Sequence, residues 1–298
     1  MQKNKRVTID YLEVLTTHKC NLSCGHCLRG PAQDVSLSPE LGDKFFSQVN
    51  KVYKLMITGG EPTLDLPTLR GVLESVKKHG VEVGVVQLAT NGTNITDEFV
   101  DVMNGFKEHV KCGREQKENK NGAEKLPEVV IHVSMDEFHE KEIYGKKTIE
   151  QLEVMWDKIA NTDFRVCGEY CTDQPLANSG RAIQIKTFEK IDPAPTTAIL
   201  LKAEKQDGIT YHMGPFVGMD ARGNIAHTEC ATYKQIQKNT VGNIADTDLV
   251  TLLTRYADIH TTSPAEYVKL KNESFNDYFR QFAPKKETKV KANEGLVQ

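Results

Sequence analysis

Three cysteines near the start of the chain have the residue type and spacing of metal ligands. Cys20, Cys24 and Cys27 follow the pattern C-x3-C-x2-C. Three thiolates on one short loop can bind one face of a cubic 4Fe–4S cluster and leave the fourth iron without a protein ligand. An open position on a metal is typical of catalytic rather than structural sites, as it is for zinc. The spacing therefore favours a reactive iron–sulfur cluster.

Two other kinds of site are compatible with the same cysteines. A zinc site would need a fourth ligand, which His18 or His26 could supply. A redox pair would need only Cys24 and Cys27, which are spaced as C-x-x-C. The triplet alone leaves these alternatives open.

Apolar segments that alternate with amphipathic ones predict the elements that position the cysteines. Strands are predicted over residues 11–17, 54–58, 81–90, 128–136, 163–171 and 197–204, and helices over 38–50, 66–80, 95–106, 148–160, 181–190, 246–260 and 264–282. This alternation is typical of an α/β fold with βαβ units and a parallel sheet. Ligands bind at the carboxyl ends of such strands, and the cysteines follow the first strand directly.

A glycine-rich turn follows the second predicted strand, where a ligand is expected. Gly59 and Gly60 would let the backbone approach a ligand closely. Glu61 would offer a carboxylate that suits an ammonium group, and Pro62 would stiffen the exit from the turn. A tight turn without a ligand is the structural alternative.

Together, the C-x3-C-x2-C triplet after strand one and the G-G-E-P turn after strand two resemble the radical S-adenosylmethionine (SAM) superfamily. The resemblance covers roughly residues 8–205 and implies a partial (β/α)6 TIM-like barrel. It implies that the three cysteines bind a 4Fe–4S cluster whose open iron binds the amino and carboxylate groups of SAM. Reductive cleavage of SAM to a 5′-deoxyadenosyl radical, which takes hydrogen from a substrate, is the activity implied.

The resemblance also implies contacts with SAM for residues at strand ends. The G-G-E-P turn would hold the methionine amino group, and the backbone of His26 would meet adenine. Further contacts with SAM are implied for Thr90, Asn91, Ser134, Asp136, Lys146 and Arg181. Lys146, its neighbour Lys147 and Arg181 are alternatives for the cation that pairs with the SAM carboxylate, and Asp136 could instead bind the substrate. His139 is expected to be structural, and Thr90 and Asn91 could belong to an ordinary Asn-Gly turn.

The remaining cysteines allow several interpretations. Cys167 and Cys230 are candidates for a thiol that donates a hydrogen atom or contacts the substrate. A second cluster could draw only on Cys112, Cys167, Cys171 and Cys230. Buried apolar cysteines are the structural alternative.

A β-hairpin is predicted over residues 209–230, with its turn at the sequence Ala-Arg-Gly-Asn. With the later G-N-I segment it resembles a reduced SPASM- or twitch-like extension of peptide-modifying radical SAM enzymes. That resemblance implies a peptide or protein side chain as substrate. A nucleotide or another small molecule is the alternative, and a non-catalytic iron–sulfur or zinc-binding protein is the alternative to any enzyme.

Three domains and a cytoplasmic location are expected. The predicted boundaries are a radical SAM core at 1–205, a hairpin and helices at 206–283, and a disordered tail at 284–298. The net charge of −3 over 298 residues does not favour a nucleic-acid partner. No apolar run is long enough for a membrane span and no signal peptide is evident. The implied partners are the substrate and an electron donor such as flavodoxin or ferredoxin.

Overall fold

The computed structural model describes residues 6–115, 129–134, 136–143, 147, 149–167, 176–177, 180–186, 190–191, 199–205, 208–226, 232–255 and 258–261. The strands are β1 (Arg6–Thr17), β2 (Val49–Gly59), β3 (Glu82–Thr90), β4 (Val129–Val133), β5 (Arg165–Cys167), β6 (Leu176–Ala177), β7 (Lys190–Ile191), β8 (Ile199–Lys205), β9 (Gly208–Met219), β10 (Asn224–Ala226), β11 (Gly242–Asn243) and β12 (Asp258–Thr261). The helices are α1 (Pro39–Phe46), α2 (Leu66–Lys78), α3 (Asp97–Glu115), α4 (Glu137–Ile143), α5 (Ile149–Ala160), α6 (Tyr233–Asn239) and α7 (Leu249–Leu253). Short 3-10 helices lie at Pro62–Leu64 and Gly180–Gln184. In these ranges no helix has the length and apolar character needed to cross a membrane.

A single large sheet organises the molecule in the order β11-β10-β9-β1-β2-β3-β4-β5. The pairs from β1 through β5 are parallel, and β9 is also parallel to β1. The strands at the two ends of this path do not pair with each other in the described residues, so the sheet is open. The predicted α/β class with a partial, unclosed barrel is therefore confirmed.

Among the residues that the structure describes, helices cover one face of this sheet and leave the other partly open. Leu55 and Ile57 of β2 and Leu88 of β3 are fully buried in the same core as α1, α2 and α3. The residues between them, such as Met56 and Gln87, are only half-buried. Because side chains alternate along a strand, these half-buried residues lie on the opposite face. That face leads toward the carboxyl ends of β1 to β4.

The start of the first predicted helix follows ordinary capping chemistry. Ser38 precedes α1 and its side chain accepts a hydrogen bond from the Leu41 amide, with Pro39 in the first turn. After α2, Gly80 has a φ of +62°, as expected for a glycine that ends a helix. These local signals place both helices where the sequence predicts them.

The sixth strand differs from the prediction. β8 is antiparallel to β9 instead of joining the parallel series, because the chain returns directly after Lys205 to pair with Gly208. β9 then lies beside β1, and it pairs with β10 as the predicted hairpin: Met219 faces Ile225, and Gly223 in the turn has a φ of +80°. The boundary predicted after residue 205 thus falls between two hydrogen-bonded strands.

Several other elements differ in extent from their predictions. In the described part of the range 181–190, the predicted helix is replaced by the 3-10 helix at Gly180–Gln184 and the start of β7, and the described part of 246–260 contains α7 and β12. α3 continues beyond residue 106, where the predicted helix ends, as far as Glu115. The helix predicted over 264–282 and the tail 284–298 lie outside the described residues.

Candidate functional site

Residues 18–30 directly follow β1 and carry the three predicted metal ligands, and they are called the cysteine loop below. The thiols of Cys20, Cys24 and Cys27 are unpaired by disulfides and line one pocket. Burial raises the pKa of Cys20, and burial followed by the two neighbouring thiols raises the pKa of Cys24 to about 12. Cys24 is buried and the other two thiols are half-buried, so three thiolates at this place would require a compensating cation. The donor set therefore fits a metal centre with sulfur ligands.

The pocket lies at the carboxyl ends of β1 to β4, as the topology predicts. Its lining contains most of the predicted site residues: Cys20, Cys24, His26, Cys27, Gly59, Gly60, Glu61, Thr90, Asn91, Ser134 and Arg181. These residues come from four strand ends and from the 3-10 helix at Gly180–Gln184. The structure therefore brings together side chains as far apart in the sequence as Cys20 and Arg181.

The two glycines after β2 are required by the backbone of the cysteine loop. The Gly60 amide donates to the Thr17 carbonyl at 2.7 Å, and the Glu61 amide donates to the Lys19 carbonyl at 2.7 Å. A Cβ atom on Gly59 would lie 2.1 Å from the Thr17 oxygen, and one on Gly60 would lie 2.2 Å from the Lys19 oxygen. The glycines were expected to let a ligand approach the backbone closely. In the structure, the backbone of Thr17 and Lys19 makes this close approach.

Glu61 is a buried carboxylate fixed by donors from two elements. Its Oε1 accepts from the Thr63 amide at 3.0 Å, from the Thr63 hydroxyl at 2.7 Å and from the Thr90 hydroxyl at 2.8 Å. Its Oε2 accepts from the Asn91 amide at 2.6 Å. Burial raises the pKa of Glu61, while these hydrogen bonds act in the opposite direction. The carboxylate is held at the pocket wall, where it suits a cationic ligand group.

The side chain of Asn91 connects the end of β3 to the cysteine loop. Its Nδ2 donates to Asn21 Oδ1 at 2.9 Å, and its Oδ1 accepts from the Thr93 amide and hydroxyl. Asn21 in turn donates to the Thr93 hydroxyl at 2.8 Å. Asn21 and Thr93 were missed by sequence reasoning, because neither belongs to a motif. Their role follows only from the meeting of two strand ends.

Asp136 holds the N-terminus of α4 and two histidines. It accepts from the amides of Phe138 and His139, from His139 Nδ1 at 2.6 Å, and it lies 3.4 Å from His26 Nε2. Burial would raise the pKa of Asp136, but the hydrogen bonds from His139 and His26 hold it well below its usual range. His26 also stacks on Phe138 with ring centroids 4.7 Å apart.

This arrangement changes the expected division of roles around α4. His139, expected to be structural, lines the pocket, whereas Asp136 is absent from the lining given by the described residues. Ser134 is in the lining, and its amide donates to the Thr90 carbonyl at 2.8 Å. Asp136 therefore acts on the site through the histidines, and its predicted contact with SAM or substrate stays a prediction.

Arg181 donates to the backbone of the cysteine loop. Its Nε donates to the Cys24 carbonyl at 2.8 Å, its Nη1 to the Gly30 carbonyl at 3.1 Å, and its amide to the Cys27 carbonyl at 2.9 Å. Of the alternative cations, Lys146 lies outside the described residues. Lys147 follows α4 and donates its amide to the Ile143 carbonyl.

A buried ion pair on the open face of the sheet was also missed from the sequence. Arg29 lines the pocket and donates to Glu13 of β1 at 2.5 Å, and both side chains are about nine-tenths buried. Burial raises the pKa of Glu13, and the charge and hydrogen bond of Arg29 oppose that rise. A charged residue in the middle of an apolar strand was the only available sequence signal.

The structure describes the backbone of two of the other four cysteines. Cys112 belongs to α3, and Cys167 is the last residue of β5, where its backbone pairs with His132. Cys171 and Cys230 lie outside the described residues. The hydrogen-donor and second-cluster interpretations stay predictions.

The rings of the two histidines that could complete a zinc site both stack on aromatic side chains. His18 is fully buried and stacks on Tyr233 at 3.9 Å, and it is not in the pocket lining formed by the described part of the chain. The Nε2 atom of His26 faces Asp136. The position of His18 outside the described lining favours a cluster with three protein ligands over a zinc site completed by this histidine.

Solved structures similar to this chain include native anSMEcpe with bound AdoMet and Cp18Cys peptide, at 18% identity and a TM-score of 0.39. That match covers 55% of this chain and 42% of that one. Streptococcus suis SuiB bound to S-adenosylmethionine is 12% identical, with a TM-score of 0.38 and coverage of 84% and 66%. SuiB bound to the precursor peptide SuiA is 13% identical, with a TM-score of 0.37 and coverage of 84% and 65%. The chain thus spans between two fifths and two thirds of these proteins.

No curated protein matches this chain. A family model does match, over residues 14–113, and its description is Radical SAM superfamily. This segment contains the end of β1, the cysteine loop, the glycine turn and the end of β3. The part of the chain that carries the three cysteines and Glu61 is therefore identified as a radical SAM segment.

Proposed function

We propose that this protein is a radical SAM enzyme in which Cys20, Cys24 and Cys27 bind a 4Fe–4S cluster. The cofactors of the superfamily are a 4Fe–4S cluster and SAM. The observation that carries the proposal is the meeting of three unpaired thiols and the buried Glu61 carboxylate in one pocket. The thiols are suitable ligands for the iron of the cluster, and the carboxylate beside them is a suitable acceptor for the ammonium group of SAM.

Cys20, Cys24 and Cys27 would hold the cluster, which would supply the electron for reductive cleavage of SAM to methionine and a 5′-deoxyadenosyl radical able to take hydrogen from carbon. The protein residues hold and orient the reactants. Glu61 would accept a hydrogen bond from the methionine amino group of SAM. The His26 backbone and Ser134 would contact the nucleoside part of SAM. The electron is proposed to come from a flavodoxin or ferredoxin.

The substrate is proposed to be a peptide or protein side chain bound over the open face of the sheet. The hairpin formed by β9 and β10 supports this class, since it matches the element that resembles peptide-modifying enzymes. A polar small molecule such as a nucleotide is the second candidate. The Glu13–Arg29 ion pair beside the pocket favours it, because a buried charge pair can orient polar groups.

Anaerobic reconstitution tests the cofactor assignment. We expect about four iron and four sulfide per chain, and 5′-deoxyadenosine after addition of SAM and dithionite. A variant with Cys20, Cys24 and Cys27 all changed to Ala should retain neither. Stoichiometric zinc without SAM cleavage would instead identify a metal-binding protein, and SAM cleavage by the triple variant would contradict the ligand assignment.

Deuterium transfer tests the substrate class. Candidate peptides would be prepared with deuterated side chains and incubated with the reconstituted enzyme. Deuterium in 5′-deoxyadenosine would identify the peptide as the hydrogen source. Deuterium arriving only from a nucleotide pool would favour the second candidate.

A further inference from the structure

The 3-10 helix at Gly180–Gln184 makes three hydrogen bonds to the backbone of the cysteine loop. Arg181 donates to the carbonyl oxygens of Cys24, Cys27 and Gly30. Gly180, with a φ of +58°, approaches so closely that a Cβ atom would lie 2.3 Å from the Cys27 oxygen. The two residues thus hold the loop on both sides of its third cysteine.

The Gly30 carbonyl shows why this contact matters for a metal ligand. It accepts from Arg181 Nη1 at 3.1 Å and also lies 3.7 Å from Cys27 Sγ, within reach of the thiol. When Cys27 loses its proton to bind iron, the thiol can no longer donate to this oxygen. The guanidinium keeps a donor on that carbonyl and so stabilises the same loop shape in the metal-bound form.

Arg181 also places a permanent positive charge among acidic groups. Its guanidinium lines the same pocket as the three cysteines and the Glu61 carboxylate. Its Nε lies 2.8 Å from the carbonyl oxygen of Cys24, so the positive charge is held directly against the cysteine loop. A cluster with three thiolates gains further negative charge when it is reduced, and a nearby cation favours that state.

We propose that Arg181 is a positioning residue that fixes the cysteine loop by its guanidinium fork and favours the reduced cluster by its charge. This inference rests on the proposed function, since it assumes a cluster on the three cysteines. It differs from the predicted contact with the SAM carboxylate, because the bonds of Arg181 are to the loop itself. The two parts of the role separate in substitutions, since Lys keeps the charge but cannot reproduce a planar fork.

The test compares Arg181→Gln and Arg181→Lys with wild type after reconstitution, by EPR-monitored redox titration without SAM. In Arg181→Gln we expect the ratio of reduced to oxidised cluster at a fixed potential to fall about tenfold, which is about 59 mV for one electron. In Arg181→Lys the midpoint should stay close to that of wild type. The matched control is Arg70→Gln, which removes an exposed arginine of α2 and should leave the midpoint unchanged.

Hydrogen exchange of the cluster-free proteins tests the fork independently of iron. Both Arg181 variants should show several-fold faster exchange in a peptide covering residues 20–30, while α2 exchanges as in wild type. Faster exchange throughout the chain would indicate misfolding and overturn the specific role. A wild-type midpoint in Arg181→Gln would overturn the charge effect. Wild-type protein that takes up no cluster would overturn the proposed function itself and, with it, this inference.

Discussion

The hydrogen-bond donors around Glu61 determine which side chain is suitable at this buried position. Each of its two oxygens accepts from a backbone amide, Thr63 on one side and Asn91 on the other. Backbone amides can only donate, so neither oxygen can be replaced by a donor without leaving two donors face to face. The two amide donors therefore favour a carboxylate at this position even when no ligand is bound.

Replacing Glu61 by Gln should therefore destabilise the protein before SAM is considered. The new amide group would oppose the Thr63 or the Asn91 amide in either orientation, at a cost of about 1–3 kcal/mol. Urea unfolding of the cluster-free protein at pH 7 measures this. The control Glu98→Gln removes an exposed acid and should change stability by less than about 0.5 kcal/mol. Equal effects of the two substitutions would argue against the donor geometry.

The connections between elements explain why the site forms where it does. The turn after β2 is bonded to the backbone after β1, and the end of β3 is bonded to that turn through Glu61. The cysteine loop is therefore shaped by its neighbours along the sheet. Glycine at positions 59 and 60 is a consequence of this packing.

Gly60→Ala should disturb the cysteine loop directly. Its methyl group would meet the Lys19 oxygen at 2.2 Å, and relief of this clash is expected to cost about 1–3 kcal/mol and to reduce iron uptake. The matched control is Gly71→Ala in α2, where a Cβ atom meets nothing within 4 Å. That change should be neutral or stabilise the helix by up to about 1 kcal/mol. Iron content and thermal unfolding of both variants provide the comparison.

Asp136 connects α4 to the cysteine loop in a pH-dependent manner. Because its pKa is lowered on folding, its contribution is present above the unfolded pKa of about 3.9 and is lost as the pH falls through the folded value. Asp136→Asn should therefore be less stable than wild type near pH 7, and the difference should shrink below about pH 4. Asn can still cap the helix, so the charge is tested specifically. A difference that stays constant from pH 7 to pH 3 would contradict this account.

The sequence was informative about elements and strand ends, and much less so about distant pairings. Local capping and periodicity place α1, α2 and the first four strands, and the motifs place the cysteines and Glu61. The position of β9 beside β1 depends on a pairing between residues about 200 positions apart. The same holds for Arg181, whose hydrogen bond to Cys24 spans 157 positions. No local pattern encodes such contacts, because they depend on the packing of the whole chain.

At the scale of the whole molecule, β1 is an internal strand bonded on both edges, to β2 and β9. Met213 and Val217 of β9 are fully buried in the same core as α1 to α3. The segment after residue 205 is thus part of the sheet that carries the site. We expect the described fold to behave as one cooperative unit.

Met213→Ala tests this cooperativity. The loss of a fully buried side chain should destabilise the protein by about 2–5 kcal/mol and shift one single thermal transition, observed by calorimetry. The control Val154→Ala removes a side chain on α5 that is 62% exposed and should shift the transition little. Two transitions, of which only one moved in Met213→Ala, would show that the segment after 205 unfolds separately.

The long sequence separation between the cysteine loop and Arg181 has a consequence for biosynthesis. The ribosome releases the three cysteines well before Gly180 and Arg181, and still longer before Tyr233, which stacks on His18. Until those residues arrive, the nascent thiols lack the contacts that set their spacing. We therefore expect the three thiols to be arranged as ligands only after the chain as far as Tyr233 has been made, and the proposed cofactor to be loaded after translation rather than during it.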